Sequence, residues 1–228
     1  MCGRYTLTAP VDELAAGFGV TGELPEVAPS YNIAPTWEVA AVGGDSGGER
    51  RLRRLRWGLI PSWADDPSIG ARMINARSET VAEKPAFRSA FRRRRCLILA
   101  DGFYEWQRPA EGEKGPKQPY YIKMADGSPY AFAGIWESWQ DGDGEKVRSC
   151  AILTTEANDL VAGIHHRMPV VLTPGDYDRW LAPGDGGADL QSLLRPYPPE
   201  EMSAYPVSTY VNKPQNDDPS CLEPVEAG

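Results

Sequence analysis

The sequence predicts an α+β fold, in which a mostly antiparallel, barrel-like β-sheet carries a few peripheral helices. Its 23 glycines and 21 prolines are scattered over 228 residues, which favours many short strands and turns over long helices. Short apolar runs rich in strand-forming residues recur between these turn residues. Segments with helix-start signals are few, so strands dominate the expected architecture.

The apolar runs define the expected strands, and capping patterns define the expected helices. Strands are expected at residues 39–42, 96–100, 120–123, 130–136, 149–154 and 170–172. Helices are expected at residues 10–17, 84–91, 158–164 and 174–181. Asp126 and Gly127 lie between two strand runs and predict a hairpin turn. Thr173 before Pro174 predicts a capped helix start.

The remaining segments are expected to be loops around a single domain. Exposed loops are expected at residues 43–49, 109–119 and 183–187, and the Pro-rich stretch 197–206 is expected to be extended or loose. The acidic tail from about residue 215 is also expected to be loose. No repeat or linker divides the chain, so one domain over residues 1–228 is expected.

Composition limits the class of protein. No apolar run approaches the roughly 18 residues of a membrane span, and the N-terminus lacks the apolar core of a signal peptide. We therefore expect a cytoplasmic, monomeric protein without a membrane partner. The four cysteines are widely spaced and the two histidines are adjacent, so neither a zinc site nor a cofactor is expected. Cys96 and Cys150 adjoin apolar runs and are expected in the core.

The charge distribution leaves nucleic-acid binding open. A net charge of −8 argues against such binding, but the arginines are concentrated in two segments. These segments contain Arg51, Arg53, Arg54 and Arg56, and Arg88 and Arg92 to Arg95. Each run is either a solvated face or part of a basic cleft within an acidic protein.

Cys2 follows the initiator methionine, and a small residue at that position usually permits methionine removal. After that removal, Cys2 would be the first residue and would carry a free α-amine and a thiol, with reference pKa values of about 8 and 8.5. The amine can form a Schiff base with an aldehyde, and the thiol can close on the imine carbon to give a thiazolidine. The alternative is an accidental cysteine at a frayed terminus.

A series of motifs places Cys2 in context. They are MCGRYT (residues 1–6), YNIAPT (31–36), WGLIPSW (57–63), INARSET (74–80), ADGFYEW (100–106), GIHHRMPVVL (163–172) and PVSTYVNKPQND (206–217). In order and spacing they resemble the SOS response-associated peptidase (SRAP) family along nearly the whole chain. The resemblance implies the SRAP fold and binding of single-stranded DNA that contains abasic sites.

The resemblance also implies a role for each matching residue. Cys2 corresponds to the crosslinking residue, Asn75 to the asparagine that positions the opened sugar, Glu105 to the proton-transfer carboxylate, and His165 to the histidine that assists ring opening. Arg4, Arg77 and Arg167 match phosphate-binding positions, and Trp63 and Trp106 match aromatic positions near the strand. Relatives often have an acidic residue at the position of His166, and some have a second tryptophan at that of Ala64.

Chemistry agrees with these roles, although each residue also has a structural alternative. Opening an abasic sugar and forming an imine require proton transfers that suit a histidine and a glutamate of raised pKa. Glu105 lies between Tyr104 and Trp106, where desolvation can raise its pKa. Alternatively, Glu105 is a solvent-facing strand residue and Asn75 a turn or cap residue.

Three functions remain in competition. The first is a lyase-like enzyme of the DNA damage (SOS) response that crosslinks Cys2 to ring-opened abasic sites and is nucleoid-associated when bound to DNA. The second is a thiol peptidase or autopeptidase, a hydrolase that releases the residue before Cys2. The third is a DNA-binding module without catalytic activity.

Overall fold

The structure is a computed structural model that describes residues 2–45, 47–109, 111–112, 115–184 and 187–226, excluding the side chains of residues 187 and 188. Its strands are β1 (Arg4–Leu7), β2 (Ser30–Ile33), β3 (Glu38–Gly44), β4 (Arg50–Trp57), β5 (Asn75–Arg77), β6 (Arg95–Ala100), β7 (Gly102–Gln107), β8 (Gln118–Met124), β9 (Tyr130–Gln140), β10 (Lys146–Glu156), β11 (Arg167–Pro169), β12 (Val171–Leu172) and β13 (Met202–Pro206). Its helices are α1 (Val11–Gly17), α2 (Arg88–Arg93), α3 (Asp159–Ala162), α4 (Tyr177–Leu181) and α5 (Gly187–Ser192). Short 3-10 segments lie at Pro67–Arg72, Pro174–Asp176, Pro199–Glu201, Thr209–Asn212 and Pro219–Leu222.

Five strands close into a barrel. β10 pairs with β4, β4 with β3, β3 with β6, β6 with β9, and β9 again with β10. The β4–β10 contact is parallel and the other four are antiparallel. Every residue of β6 is buried, which is expected for a strand enclosed on both faces. The predicted α+β class with a mostly antiparallel, barrel-like sheet is confirmed.

A second sheet has the strand order β13-β8-β7-β1-β2 and is antiparallel throughout. β1 is an inner strand, with Arg4 opposite Tyr104 of β7. Tyr5 of β1 contacts barrel residues Trp57 and Phe132, with ring centroids 5.2 and 5.6 Å apart. The start of the chain is therefore held between the second sheet and the barrel.

The hairpin predicted at Asp126 and Gly127 is wrong. The chain does turn there, because the Gly127 amide donates to the Met124 carbonyl at 3.1 Å and Gly127 has a φ of 77°. However, β8 pairs with β7 and β13, whereas β9 pairs with β6, β10 and β12. The turn carries the chain from the second sheet into the barrel, since long-range pairing determines the partner of each strand.

The helices lie largely where the sequence predicts them. α1 lies within residues 10–17, α3 within 158–164, and α4 with its preceding 3-10 turn covers 174–181. α2 begins only at Arg88, because the Phe87 amide donates to the Lys84 carbonyl in a tighter i→i−3 turn. Thr173 occupies the cap position, but its hydroxyl donates to the Asp176 carboxylate. No helix in the described part of the chain combines the length and apolarity needed to cross a membrane.

The loop expectations have mixed outcomes. The turn after β3 is shorter than predicted, since β3 extends to Gly44 and β4 begins at Arg50. Parts of the loops predicted at 109–119 and 183–187 lie outside the described residues, as do residues 46, 227 and 228. The Pro-rich stretch contains β13, which pairs with β8, so it is not loose.

The segment after residue 215 is attached to the second sheet, so the expectation of a loose tail is wrong for residues 215–226. Asp217 accepts hydrogen bonds from the Ser30 hydroxyl at 3.0 Å and the Tyr31 amide at 2.5 Å. Cys221 is fully buried, and the Val225 amide donates to the Pro206 carbonyl at 3.0 Å. Acidic composition alone does not reveal these contacts, because the partners are distant in sequence.

Asp101 and Gly102 join the two sheets. Asp101 accepts hydrogen bonds from the Thr6 hydroxyl, from the Thr8 amide at 2.5 Å and from the Thr8 hydroxyl at 2.7 Å. A Cβ atom at Gly102 would lie 2.1 Å from the ring of Tyr121. A glycine is therefore required where the chain passes from β6 of the barrel to β7 of the second sheet.

We predict that Gly102→Ala destabilises the fold by about 1–3 kcal/mol, because a rigid aromatic ring and its strand must shift. The free energy of unfolding, measured with urea, checks this. Gly163→Ala is the control, since a Cβ there meets no atom within 4 Å. Equal stability of the two variants would show that Tyr121 moves aside without cost.

Candidate functional site

Cys2 lies two residues before β1 and is buried. It is 0% exposed and belongs to the main hydrophobic core, so it is not a cysteine at a frayed terminus. Asn75 Nδ2 donates to the Cys2 carbonyl oxygen at 2.7 Å, which ties β5 to the start of the chain. The Cys2 sulfur lies 3.9 Å from the Arg4 carbonyl oxygen. Met1 is outside the described residues.

Burial strongly raises the pKa of the Cys2 thiol, and the negative charge of Glu105 acts in the same direction. The reference thiol pKa of about 8.5 therefore does not apply to the folded chain. At neutral pH the sulfur is a thiol, so its attack on a carbon atom requires a group that accepts the proton.

Glu105 lies on β7 and is only 2% exposed. The alternative of a solvent-facing glutamate is therefore wrong. Burial raises the pKa of its carboxyl, as its aromatic neighbours predict. Its charge acts on Cys2, and the charge of His166 acts on Glu105, so these groups share one electrostatic environment.

Asn75 is the first residue of β5 and lies opposite Ile152 of β10, so it is neither a turn nor a cap residue. Its Nδ2 atom donates the hydrogen bond to the Cys2 carbonyl oxygen. Its Oδ1 atom is buried and has no hydrogen-bond partner within the described residues. A buried acceptor without a donor is uncommon, and this one lies beside Cys2.

His165 precedes β11, and its ring is fixed by the backbone. His165 Nδ1 lies 3.0 Å from the Arg167 amide nitrogen and 3.1 Å from the Arg167 carbonyl oxygen. Burial lowers the pKa of His165. His166 is exposed and stacks on His165 with ring centroids 4.4 Å apart, and its pKa is lowered chiefly by the charge of His165.

The three predicted phosphate-binding arginines have different environments. Arg77 is exposed on β5, with its backbone opposite Thr154 of β10. Arg167 forms an ion pair with Glu79 at 2.5 Å and donates to the Thr154 carbonyl at 2.7 Å. Arg4 donates to the Asn32 side chain at 2.9 Å and to main-chain carbonyls. Arg77 is therefore the most available of the three for an external anion.

The predicted aromatic contacts also differ. Trp63 is 59% exposed in the loop after β4, where its indole can be reached by a base. Trp106 is partly buried on β7, and its Nε1 donates to Asn212 Oδ1 at 2.7 Å. Trp57 is fully buried and Trp139 is 8% exposed, so both belong to the core.

Asn32 is a residue that the sequence reasoning did not single out. It is fully buried and donates to the carbonyls of Val211, Lys213 and Asn216 while accepting from Arg4. It thereby joins the YNIAPT motif to the PVSTYVNKPQND motif. The available signal was an asparagine directly before the apolar Ile33 and Ala34 of the YNIAPT motif.

Gln107 provides a second unforeseen contact. Its Nε2 donates to the Gly163 carbonyl at 2.7 Å and so joins the end of β7 to the loop that carries His165. This contact joins β7 to the loop before β11, and the hydrogen bond from Asn75 to Cys2 joins β5 to the segment before β1. The fold and this site define a β-barrel protein with a buried cysteine shortly before its first strand.

Comparison with known proteins agrees with this description. Residues 1–214 match the family described as SOS response associated peptidase (SRAP). The chain is 45% identical over 226 residues to "Abasic site processing protein YoqW" of Bacillus subtilis, covering 98% of this chain and 99% of that protein. It is 36% identical over 205 residues to "Abasic site processing protein HMCES" of Gallus gallus, covering 79% of this chain and 59% of that protein.

A solved structure has the same fold. The crystal structure of a protein from Bacteroides thetaiotaomicron superimposes with a TM-score of 0.87 at 29% identity, covering 99% of this chain and all of the other. With the family match, this establishes that the chain belongs to the SRAP family.

The buried state of Glu105 has a consequence for stability. The folded pKa lies above the unfolded value of about 4.3, so Glu105 contributes stability that is complete below pH of about 4.3 and is lost as the pH rises through the folded pKa. We predict that the free energy of unfolding of the wild type falls across this window relative to that of Glu105→Gln. Urea unfolding at a series of pH values checks this.

The exposed Glu23 supplies the control, and Glu23→Gln should follow the wild type. A difference between wild type and Glu105→Gln that stays constant with pH would contradict a raised pKa at Glu105.

Proposed function

We propose that this protein processes abasic sites by binding single-stranded DNA and crosslinking Cys2 to the ring-opened sugar. The observation that carries the proposal is the burial of Cys2 beside Asn75 and Glu105, in a chain 45% identical to an abasic site processing protein. Removal of Met1 turns the amide nitrogen of Cys2 into a primary amine. That amine then lies within a protein environment, next to its own thiol.

The first steps are ring opening and imine formation. An abasic sugar opens when its hydroxyl loses a proton and the ring oxygen gains one, and His165 and Glu105 are assigned to these transfers. The Cys2 amine then adds to the aldehyde carbon, and the carbinolamine loses one water to give a Schiff base. Asn75 Oδ1, which is buried without a donor, accepts a hydrogen bond from a hydroxyl of the opened sugar.

Ring closure completes the crosslink. The Cys2 sulfur adds to the imine carbon, and its proton passes to the imine nitrogen by way of Glu105. Because burial raises the pKa of the Cys2 thiol and a protonated thiol is a weak nucleophile, this step needs a group that accepts the thiol proton. The overall reaction of amine, thiol and aldehyde releases one water and gives a thiazolidine.

DNA is held by contacts on either side of the sugar. Arg77 is assigned to a phosphate, and the exposed Trp63 to stacking on a base, a contact worth about 1–3 kcal/mol. Arg4, Arg167 and Trp106 are assigned to the same surface by family resemblance. Arg4 is hydrogen-bonded to Asn32 and Arg167 is paired with Glu79, so the main role assigned to both arginines is to hold that surface in place.

The peptidase alternative has less support. A thiol protease requires a cysteine of lowered pKa, whereas burial raises the pKa of Cys2. A binding module without catalytic activity gives no role to a buried cysteine that accepts a hydrogen bond from Asn75 and feels the charge of Glu105.

We predict that single-stranded DNA with an abasic site gives a denaturation-resistant adduct with the wild type and none with Cys2→Ala. Cys2→Ser retains the amine, so it should give a Schiff base that survives denaturation only after borohydride reduction. Gel electrophoresis with and without borohydride checks both outcomes. Cys221→Ser, another buried thiol, is the control and should crosslink like the wild type.

The same assay separates the competing functions. An unreduced adduct with Cys2→Ala would contradict the assignment of the nucleophile. Peptide cleavage without an adduct would favour the hydrolase, and DNA binding without any covalent product would favour the binding module.

A further inference from the structure

A cavity of about 500 Å³ lies on the barrel and contains none of the residues assigned to crosslinking. It is lined by Thr36, Glu38, Arg54, Arg56, Lys146, Val147 and Arg148, and is called the basic cavity below. Four of its lining residues are basic and one is acidic. Such a concentration of positive charge is unusual in a protein with a net charge of −8.

The four basic residues come from two neighbouring strands. Arg54 and Arg56 are two apart on β4, and Lys146 and Arg148 are two apart on β10, so each pair points to one face of its strand. β4 and β10 are hydrogen-bonded neighbours, with Arg56 opposite Ser149, so Arg148 leaves β10 on the other face from Arg56. The two short basic stretches, which are distant in sequence, meet in the lining of the basic cavity.

Most of this charge is not neutralised by the protein. Arg54 forms an ion pair with Glu38 at 2.6 Å. Arg56, Lys146 and Arg148 take part in no ion pair within the described residues. The Nε atom of Arg56 is buried and lacks a hydrogen-bond partner there. An anion in the basic cavity would satisfy a donor that is otherwise costly to bury.

Thr36 marks the rim of the basic cavity. It is the non-glycine residue with a positive φ, 75°, in the described part of the chain, a conformation that β-branched residues rarely adopt. Its amide donates to the Trp57 carbonyl at 2.8 Å, which holds this backbone against β4. Strained backbone of this kind is concentrated at binding sites.

The basic cavity adjoins the loop that presents Trp63. Val147, which lines the cavity, packs in a small apolar cluster with Ile60 and Ala64. The Ala64 carbonyl accepts a hydrogen bond from Trp139 Nε1 at 2.7 Å. A strand that stacks on Trp63 and continues along the barrel would therefore meet the cavity next.

We propose that the basic cavity binds the phosphodiester backbone of a DNA strand that extends past Trp63, and so lengthens the bound segment. This inference rests on the proposed function. Arginine suits such a contact because its planar group donates two parallel hydrogen bonds to a phosphate. The cavity contributes affinity for longer strands, while the chemistry remains at Cys2.

The test compares short and long single strands that carry a tetrahydrofuran analogue of the abasic site, which binds without crosslinking. Lengths of about 5 and about 20 nucleotides bracket the segment that one such groove holds. Fluorescence anisotropy gives Kd as a function of salt for the wild type and for Arg56→Gln/Arg148→Gln. The control is Lys84→Gln/Arg88→Gln, which removes the same charge from exposed positions outside the cavity.

For the long strand, Arg56→Gln/Arg148→Gln should weaken binding roughly tenfold at low salt and reduce the slope of log Kd against log salt by about 1.4. Its affinity for the short strand should equal that of the wild type, and the control should change neither. Equal losses in cavity and control variants, or equal losses for short and long strands, would overturn the proposal. Thermal unfolding confirms that each variant is folded.

Arg77→Gln separates this proposal from the function on which it rests. Under the proposed function it weakens binding of both strands, because Arg77 lies beside Asn75. If the wild type binds the long strand through the cavity but forms no adduct with a natural abasic site, the crosslinking proposal fails and the cavity proposal stands. If adducts form normally and the cavity variant binds like the wild type, only the cavity proposal fails.

Discussion

The site depends on the first strand of the chain being an inner strand of a sheet. Chain termini are usually frayed, but β1 pairs with β7 on one side and β2 on the other. Cys2 lies two residues before this strand and is completely buried. The Asn75 side chain donates a hydrogen bond to the Cys2 carbonyl, so residue 2 has a defined position relative to β5. Under the proposed function, a Cys2 amine held in this way would lose the freedom that slows reaction with an aldehyde.

The same burial determines the proton chemistry. Desolvation disfavours charge, so the pKa values of the Cys2 thiol and the Glu105 carboxyl both rise, and that of His165 falls. These directions favour neutral groups that exchange protons during a reaction over permanently charged ones. They suit condensation with an aldehyde, in which several protons move, better than attack by a preformed thiolate.

How far the sequence predicts the fold depends on the type of element. β6 and β9 were predictable because their apolar runs are local signals of buried strands. β4 was not recognised, since its RRLRRLRW sequence was interpreted by charge, although Leu52 and Leu55 point into the core. The Asp126–Gly127 turn was visible, but its sheet partners depend on contacts far away in the chain.

The same contrast applies to the site. The motifs bring Cys2, Asn75, Glu105 and His165 to attention, and the burial of Glu105 follows from its aromatic neighbours. The internal hydrogen bonds of Arg4 and the part played by Asn32 were not predictable, because the Val211 carbonyl that both contact lies 207 residues after Arg4 and 179 residues after Asn32. Exposure separates Trp63, at 59%, from the buried Trp57 and Trp139, and no sequence pattern gives that distinction.

The central claim is that the Cys2 amine and thiol react together, which requires the absence of Met1. Mass spectrometry of the N-terminal peptide from purified adduct tests this most directly. The account predicts a peptide that begins at Cys2 and carries the sugar remnant with the loss of one water. A crosslinked peptide that still contains the initiator methionine would contradict it.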